Sequence, residues 1–116
     1  MTAKDIAAQY KSSRSAVPGF GHHLHKPVDP RAYKFLALAR AEPDLAGTHL
    51  NALDLLSKAV DEASGRPITI NATGSVAALL VEIGVPPEIM RGFAVISRGA
   101  GLVAHIAEEQ KRPSER

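Results

Sequence analysis

The stretch VPGFGHHLHKPVDPRA, residues 17–32, holds two glycines, three histidines, three prolines and one arginine in sixteen residues. Its first half, PGFG, interrupts any regular element, so the stretch predicts a loop over residues 16–28. Asp29-Pro30 then begins a helix, because Asp is a good N-cap and Pro is tolerated at the first helical position. The stretch therefore predicts a loop rich in backbone and imidazole groups that leads directly into a helix.

Helical signals continue on both sides of this loop. They predict an N-terminal helical segment over residues 1–15, a second helix from Asp29-Pro30 to before Pro43, a third from a Thr48 cap to Gly65, a fourth ending at Gly84 and a fifth over residues 87–110. The predicted buried stripe of the second helix comprises Phe35, Leu36, Leu38 and Ala39. RPITIN is too short and isolated to predict a sheet. We expect an all-α domain of about five helices over residues 1–110, followed by a polar tail over 111–116.

Composition narrows the class of protein. A chain of 116 residues with 45% apolar and 22% charged residues fits one globular domain. The net charge is only +2, and no Lys/Arg run alternates with aromatics, so no nucleic-acid partner is expected. Cysteine is absent, which excludes disulfides, thiolate zinc sites and cysteine nucleophiles. No unbroken apolar run has signal-peptide or membrane-spanning length, so we expect a cytoplasmic protein without a membrane partner.

The loop offers two kinds of binding group. The backbone of Gly19–Gly21 can receive a flat polar ring or an anion, or it can be an ordinary turn between helices. His22, His23 and His25 follow directly. They could bind a metal, one of them could donate a hydrogen bond or transfer a proton, or they could stand exposed in the loop. No carboxylate or thiol accompanies them at a standard ligand interval, so no metal site is expected.

Two arginines occupy unusual positions. Arg31 lies in the first turn of a helix, where the macrodipole disfavours a cation unless an anion or a salt bridge accompanies it. Arg98 lies within FAVISRGAGLVAHI, where its neighbours are apolar or small and no charged residue lies within four positions. Its partner must therefore come from elsewhere, either as a protein carboxylate or as a ligand.

Taken together, VPGFGHHLHKPVDPRA and GRPITINATGSVAALLVEIGVPPEIMRGFAVISRGAGLVAHIAEEQKRP resemble the citrate synthase family, particularly its shorter citryl-CoA lyase-like relatives. The family pattern is a G-[FY]-G-H loop followed at a fixed distance by D-P-R-A. The chain is similar to the small C-terminal helical domain of such enzymes, in which two helical domains close over an acyl-CoA and a citrate-type carboxylate.

The resemblance implies roles for individual residues. Val17, Pro18, Gly19, Phe20 and Gly21 would contact the adenine end of coenzyme A (CoA). His22 would be a catalytic residue that binds the carbonyl or hydroxyl of a citrate-like ligand. Arg31 and Arg98 would hold carboxylates, and Arg112 would reach the site of a partner subunit. No tightly bound cofactor is implied, since the CoA ester is a substrate or ligand.

Two departures from the family pattern concern catalysis. The catalytic carboxylate usually stands third in an N-V-D-like triplet, but this sequence reads Asn71-Ala72-Thr73. A threonine hydroxyl without an activating partner is far too weak a base to remove a methyl proton of an acyl-CoA. The large-domain segment that supplies a second catalytic histidine, in a G-x-x-H-G-G-like context, does not occur in these 116 residues. Turnover by this chain alone is therefore not expected.

Two hypotheses follow from the resemblance. In the first, the chain is part of an acyltransferase or lyase that condenses or cleaves a C–C bond only together with a large-domain polypeptide. In the second, it is a non-catalytic module that binds CoA esters, regulates or interacts, and has lost the catalytic carboxylate at Thr73. In both, the uncovered apolar face of a small domain predicts a homo-oligomer or a bound partner.

Overall fold

The structure is a computed structural model that describes residues 1–114. Its helices are α1 (Ala3–Ser12), α2 (Pro30–Ala41), α3 (Thr48–Ser64), α4 (Ala72–Glu82) and α5 (Met90–Lys111), and a short 3₁₀ turn (Pro87–Ile89) precedes α5. Within the described residues no strand forms, and the one isolated β-bridge joins Phe20 to Ile70. The prediction of an all-α fold with five helices is confirmed.

The chain divides into two compact units. The first, Met1–Gly84, holds α1 to α4 and the Gly/Pro/His loop. The second begins at Val85 and holds the 3₁₀ turn and α5. The single domain predicted over residues 1–110 therefore contains the boundary between these units.

The core of the first unit lies where α3 packs against α1 and α4, while α2 packs against α4. It is made of small and aliphatic side chains together with one aromatic ring; its buried members are Ala7, Phe20, Leu36, Ala39, Leu50, Leu53, Ala59 and Val60. Phe20 comes from the loop and is only 8% exposed. The loop is therefore anchored in the core through its one aromatic side chain.

The buried face of α2 differs from the prediction. Leu36 and Ala39 are buried as expected, but Phe35 is 40% exposed and Leu38 is 58% exposed. The buried face consists of Ala32, Leu36 and Ala39, which recur at intervals of four and three residues, as one helical face requires. The prediction that Phe35 and Leu38 belong to this face is wrong, because both project from other sides of the helix.

The start of α3 also differs from the prediction, since Thr48 is not its cap. Gly47 is the N-cap residue, with a φ of 79°, and it has no side chain to offer. The Glu82 carboxylate at the end of α4 replaces the missing cap. It accepts the backbone N–H groups of Gly47 at 2.6 Å, His49 at 2.7 Å and Leu50 at 3.4 Å. A carboxylate satisfies several of the free N–H groups at once, whereas a threonine hydroxyl satisfies one.

Helix α5 of the second unit carries exposed apolar side chains along its length, among them Phe93, Val95, Ile96, Leu102, Val103 and Ile106. The segment Pro87–Lys111 is long and apolar enough to cross a membrane, with a mean hydropathy of 1.2 in an 18-residue window. Core helices of soluble proteins can have the same length and composition, but they are mostly buried, whereas none of this window is buried. The expected absence of a membrane partner therefore stays a prediction.

Two glycines bring the loop into backbone contact with the start of α4. A Cβ built on Gly74 would overlap the carbonyl oxygen of Gly19 and would lie 3.0 Å from its Cα. Gly19 itself has a φ of +87°, in the left-handed region that favours glycine. The close approach of these two backbones therefore requires a residue without a side chain at both positions.

Replacement of Gly74 by alanine tests this contact. We expect Gly74→Ala to lower the free energy of unfolding by about 1–3 kcal/mol, because the loop must move to admit the methyl group. Urea unfolding followed by circular dichroism measures the change.

Gly92→Ala is the matched control, since Gly92 is also helical but has no atom within 4 Å of an added Cβ. This variant is expected to be neutral or stabilising by about 0.5–1 kcal/mol. Equal stability of Gly74→Ala and the wild type would contradict the contact.

Candidate functional site

Asp29 is a fully buried carboxylate, with 0% of its surface exposed. Its Oδ1 caps α2 by accepting the backbone N–H of Arg31 at 3.0 Å. Its Oδ2 accepts the backbone N–H of Ala72, the first residue of α4, at 3.2 Å. Thr69 Oγ1 in turn accepts the backbone N–H of Asp29 at 3.0 Å. One carboxylate thus joins the N-termini of two helices, where backbone N–H groups and the macrodipole favour negative charge.

The same carboxylate holds the side chain of Arg31. Arg31 donates from Nε to Oδ1 of Asp29 at 3.1 Å and from Nη2 to Oδ2 at 2.9 Å. The arginine side chain is 51% exposed, although its partner is completely buried. Of the salt bridge and the bound anion considered from the sequence, the salt bridge forms within the chain. The carboxylate-binding role of Arg31 stays a prediction.

The pair is strongly ionised. The hydrogen bond from Arg31 holds the pKa of Asp29 well below its usual range, although burial opposes the shift. The same hydrogen bond raises the pKa of Arg31. Asp29 therefore stays a carboxylate that accepts four hydrogen bonds, two from the backbone and two from the guanidinium. Such a group is a poor proton acceptor.

His22 has a defined hydrogen-bonding state. Its Nδ1 accepts the backbone N–H groups of Leu24 and His25, each at 3.1 Å. An imidazole that accepts at Nδ1 carries its proton at Nε2, so Nε2–H is the donor available to a ligand. Burial and the charges of His25, His23 and Arg31 lower the pKa of His22. His22 is therefore set as a neutral hydrogen-bond donor near neutral pH.

The three imidazole rings of the histidine cluster pack against one another. The ring of His22 stacks on His23 at a centroid distance of 4.6 Å and lies 4.5 Å from the ring of His25. In residues 1–114 no group of three or more His, Asp or Glu side chains is arranged to hold a metal ion.

The glycine loop is held against the start of α4 by its own backbone. The carbonyl of Gly19 accepts the N–H of Asn71 at 3.0 Å, and the N–H of Gly21 donates to the carbonyl of Thr69 at 2.7 Å. Asn71 also donates from Nδ2 to the carbonyl of Gly21 at 3.0 Å. These contacts fix the shape of the loop. The predicted CoA contacts of residues 17–21 stay a prediction. Because the side chain of Phe20 is buried in the core, this residue would contact a ligand through its backbone.

A cavity of about 490 Å³ opens beside the loop. It is lined by Gly21, His22, Lys26, Arg66, Pro67 and Thr69, among others. A second cavity, of about 370 Å³, is bordered by Val17, Gly21 and Arg66 together with Tyr10 and Lys11. The first cavity combines two cationic side chains with an imidazole donor, which suits an anionic ligand.

Sequence reasoning missed Lys26, Arg66 and Asp29 as components of the site. Lys26 follows the histidines directly and could have been named as part of the same basic segment. Arg66 lies 40 positions further along the chain. No local pattern marks it, because only the fold brings it to the cavity.

Thr73 is the second residue of α4 and is exposed. It follows Ala72, whose N–H bonds to Asp29. The carboxylate of Asp29 therefore contacts the residue that precedes Thr73, but it is buried and accepts four hydrogen bonds. Asp29 does not replace the base that the family pattern has at the position of Thr73.

Arg98 and Arg112 belong to the second unit. Arg98 is exposed on α5, and it forms no ion pair within residues 1–114. Arg112 is the C-cap residue of α5, and its N–H donates to the carbonyl of Glu108 at 2.8 Å. The predicted convergence of Arg98 with His22 and Arg31, and the role of Arg112 toward a partner subunit, stay predictions.

Comparison with known proteins identifies the fold family. The sequence profile described as "Citrate synthase, C-terminal domain" matches residues 2–116. The chain belongs to the citrate synthase family. Its fold is similar to citryl-CoA lyase from Hydrogenobacter thermophilus, with a TM-score of 0.83 and 27% identity over 100% of this chain. A "Citrate synthase-like protein" from Phoma sp. is 30% identical over 118 residues, covering 91% of this chain.

The length of these relatives matters for function. The chain spans 50% of the lyase chain and 24% of the Phoma protein. The resemblance predicted from the loop and from residues 65–113 is confirmed, and the chain is a citrate synthase-like C-terminal domain. The activities of the full-length relatives are therefore assigned to this chain only as a proposal.

The state of His22 is open to direct measurement. In ¹⁵N-¹H correlation spectra we expect an unprotonated Nδ1 and a protonated Nε2 at pH 7, with a titration midpoint below the ordinary value of 6.5. His105, an exposed histidine on α5, provides the internal reference spectrum. A midpoint of His22 above 6.5, or an Nδ1-protonated tautomer, would contradict this geometry.

The depressed carboxylate pKa values predict acid sensitivity. Burial alone would raise the pKa of Glu82, but the N–H groups of His49, Gly47 and Leu50 outweigh it and lower the pKa. The pKa of Asp29 is also lowered. Both groups therefore contribute stability above their unfolded pKa values near 4, which is lost as the pH falls toward their folded values. The urea midpoint should fall steadily below pH 4, and a midpoint equal at pH 7 and pH 3 would rule out this contribution.

Proposed function

We propose that this chain binds a CoA ester and a citrate-like carboxylate as the C-terminal part of a citrate synthase- or citryl-CoA lyase-like enzyme. The observation that carries the proposal is the cavity beside the glycine loop, where Lys26 and Arg66 accompany His22. Membership of the citrate synthase family suggests CoA esters and citrate-like carboxylates as ligands, and the cationic and imidazole side chains of the cavity suit such anions.

The CoA ester would bind along the loop. The phosphates of CoA would meet the cationic side chains of Lys26 and Arg66, which form charge-assisted hydrogen bonds with phosphate oxygens. The adenine would lie against Val17–Gly21 at the second cavity. Because Gly21 and Arg66 border both cavities, one extended ligand can contact the two in sequence.

The carboxylate ligand would bind near His22 and Arg31. His22 would donate from Nε2 to the carbonyl or hydroxyl of the ligand. Arg31 has five N–H donors, of which Asp29 occupies two. The remaining donors would bind a carboxylate.

Proton transfer would need acid or base groups in addition to those that this chain supplies. Condensation requires a base that removes a methyl proton of the acyl group, and cleavage requires an acid that returns a proton to that carbon. Removal of such a group typically lowers the rate by about 10² to 10⁴. Thr73 is not such a base, and Asp29 is occupied. We therefore propose that condensation or cleavage requires the remaining half of the fold, with the histidine of the large domain.

The alternative function is a non-catalytic module that binds CoA esters and regulates or contacts another protein. Thr73 favours this alternative, because ligand-binding groups are retained while the family's base is not. The decisive assay uses the complete natural protein together with any large-domain polypeptide encoded beside it. Acetyl-CoA condensation or citryl-CoA cleavage supports the enzyme, while ligand binding without turnover supports the module.

Association of the chain would cover its exposed apolar side chains. The side chains along α5, such as Phe93 and Ile96, are 45% and 75% exposed. We expect a homodimer or larger species, or a complex with a large-domain polypeptide. Multi-angle light scattering at micromolar concentration measures this, and a clean monomer would contradict self-association.

Calorimetric titration with CoA tests the phosphate site. We expect Lys26→Ala and Arg66→Ala each to weaken CoA binding by about tenfold, which corresponds to the loss of about 1.5 kcal/mol from one charge-assisted hydrogen bond. Lys34→Ala is the control, since Lys34 is an exposed lysine of α2 that lines neither cavity. Absence of CoA binding to the wild type, or equal effects of all three variants, would contradict the site.

A further inference from the structure

Asp29 does more than cap a helix. A cap needs one side-chain oxygen directed at the first turn, and Asp29 Oδ1 provides it to the N–H of Arg31. The second oxygen instead accepts from the Nη2 of Arg31 and from the N–H of Ala72. The carboxylate therefore links three parts: the start of α2, the start of α4 and the guanidinium.

The guanidinium is held by one of its two edges. Nε and Nη2 form the side edge, and both donate to Asp29 at 3.1 and 2.9 Å. The other edge is formed by Nη1 and the second N–H of Nη2. Nη1 makes no hydrogen bond within residues 1–114, and the side chain is half exposed. The edge that is left open has the fork geometry that matches a carboxylate.

We propose that Asp29 is a positioning residue, which fixes the open edge of Arg31 relative to the start of α4 so that this edge meets a ligand carboxylate. The proposal rests on the proposed function, because it assigns Arg31 a carboxylate ligand. Asp29 itself touches no ligand: it is fully buried and its hydrogen-bonding capacity is directed at protein groups.

A fixed guanidinium binds more tightly than a free one. An exposed arginine loses rotamer freedom when it binds a ligand, and this cost reduces affinity. In this chain the side chain is already ordered by its two bonds to Asp29. The conformational entropy of the Arg31 side chain is therefore lost when the chain folds and not when the ligand binds. The ligand encounters a guanidinium that is already in its binding orientation.

Asn at position 29 separates positioning from capping. Asn is as good an N-cap as Asp, since its Oδ1 can still accept the N–H of Arg31. Its Nδ2 is a donor and cannot accept from the Nη2 of Arg31 or the N–H of Ala72. Asp29→Asn therefore keeps the cap of α2 but removes the hydrogen bond from the Nη2 of Arg31.

The experiment compares the affinities of citrate and CoA by calorimetry for the wild type and Asp29→Asn. We expect citrate to bind about tenfold more weakly to Asp29→Asn, because a charge-assisted contact is lost from the group that positions Arg31. CoA affinity should change by less than about twofold, since its site lies at Lys26 and Arg66.

Asp54→Asn is the matched control. Asp54 accepts two hydrogen bonds from Arg40, both at 2.7 Å, in a half-exposed pair on the surface. Asp54→Asn should leave the affinities for citrate and for CoA unchanged. Unchanged citrate affinity in Asp29→Asn would overturn the proposal. An equal loss of citrate and CoA affinity would also overturn it, since that is the result of a merely structural role.

A measurement without ligand separates this proposal from the proposed function. If the wild type binds neither citrate nor CoA, the proposed function fails, and the resonance of the Arg31 Nη2–H that donates to Oδ2 of Asp29 still tests whether Asp29 holds the guanidinium. We expect that resonance to exchange slowly with water in the wild type and rapidly in Asp29→Asn. Equal exchange in both proteins would overturn the positioning role.

Discussion

The buried carboxylate of Asp29 is the contact that holds Arg31 relative to the starts of α2 and α4, and the proposed carboxylate site depends on it. It joins the first residues of α2 and α4, and it holds Arg31 by two further hydrogen bonds. The start of α4 in turn places Asn71, which bonds to the backbone of the glycine loop through its N–H and its Nδ2. His22 follows that loop directly. One carboxylate therefore connects the arginine, the loop and the imidazole, although these groups come from separate segments of the chain.

The charges and hydrogen-bond donors of the site suit the binding of an anion, and neither Asp29 nor Thr73 is a suitable proton acceptor. Lys26 and Arg66 supply positive charge, and His22 is a neutral donor because its Nδ1 is occupied by backbone N–H groups. Asp29 is ionised and completely hydrogen-bonded, and Thr73 is a hydroxyl. We therefore propose that this chain contributes recognition of an anionic ligand, and that catalysis requires the half of the fold that the chain does not span.

Local signals predicted most of the fold. Asp29-Pro30 correctly marked the start of α2, and the glycine-rich loop and the five helices appeared where the pattern placed them. Failures came from contacts that are distant in sequence. Local rules favour Thr48 as the N-cap of α3. The cap is instead the carboxylate of Glu82, which accepts the N–H of Gly47 although the two residues are 35 positions apart in the sequence. Arg66 gave no local signal for the same reason, because the fold alone brings it to the cavity.

The most direct measurement is a crystal structure of the protein with citrate and CoA bound. The account predicts that the Nε and Nη2 of Arg31 remain on Asp29, while Nη1 donates to a citrate carboxylate and the Nε2 of His22 donates to the citrate hydroxyl. It also predicts CoA phosphates beside Lys26 and Arg66. An Arg31 side chain that has left Asp29 to reach citrate, or a citrate that is bound away from both His22 and Arg31, would contradict the central claim.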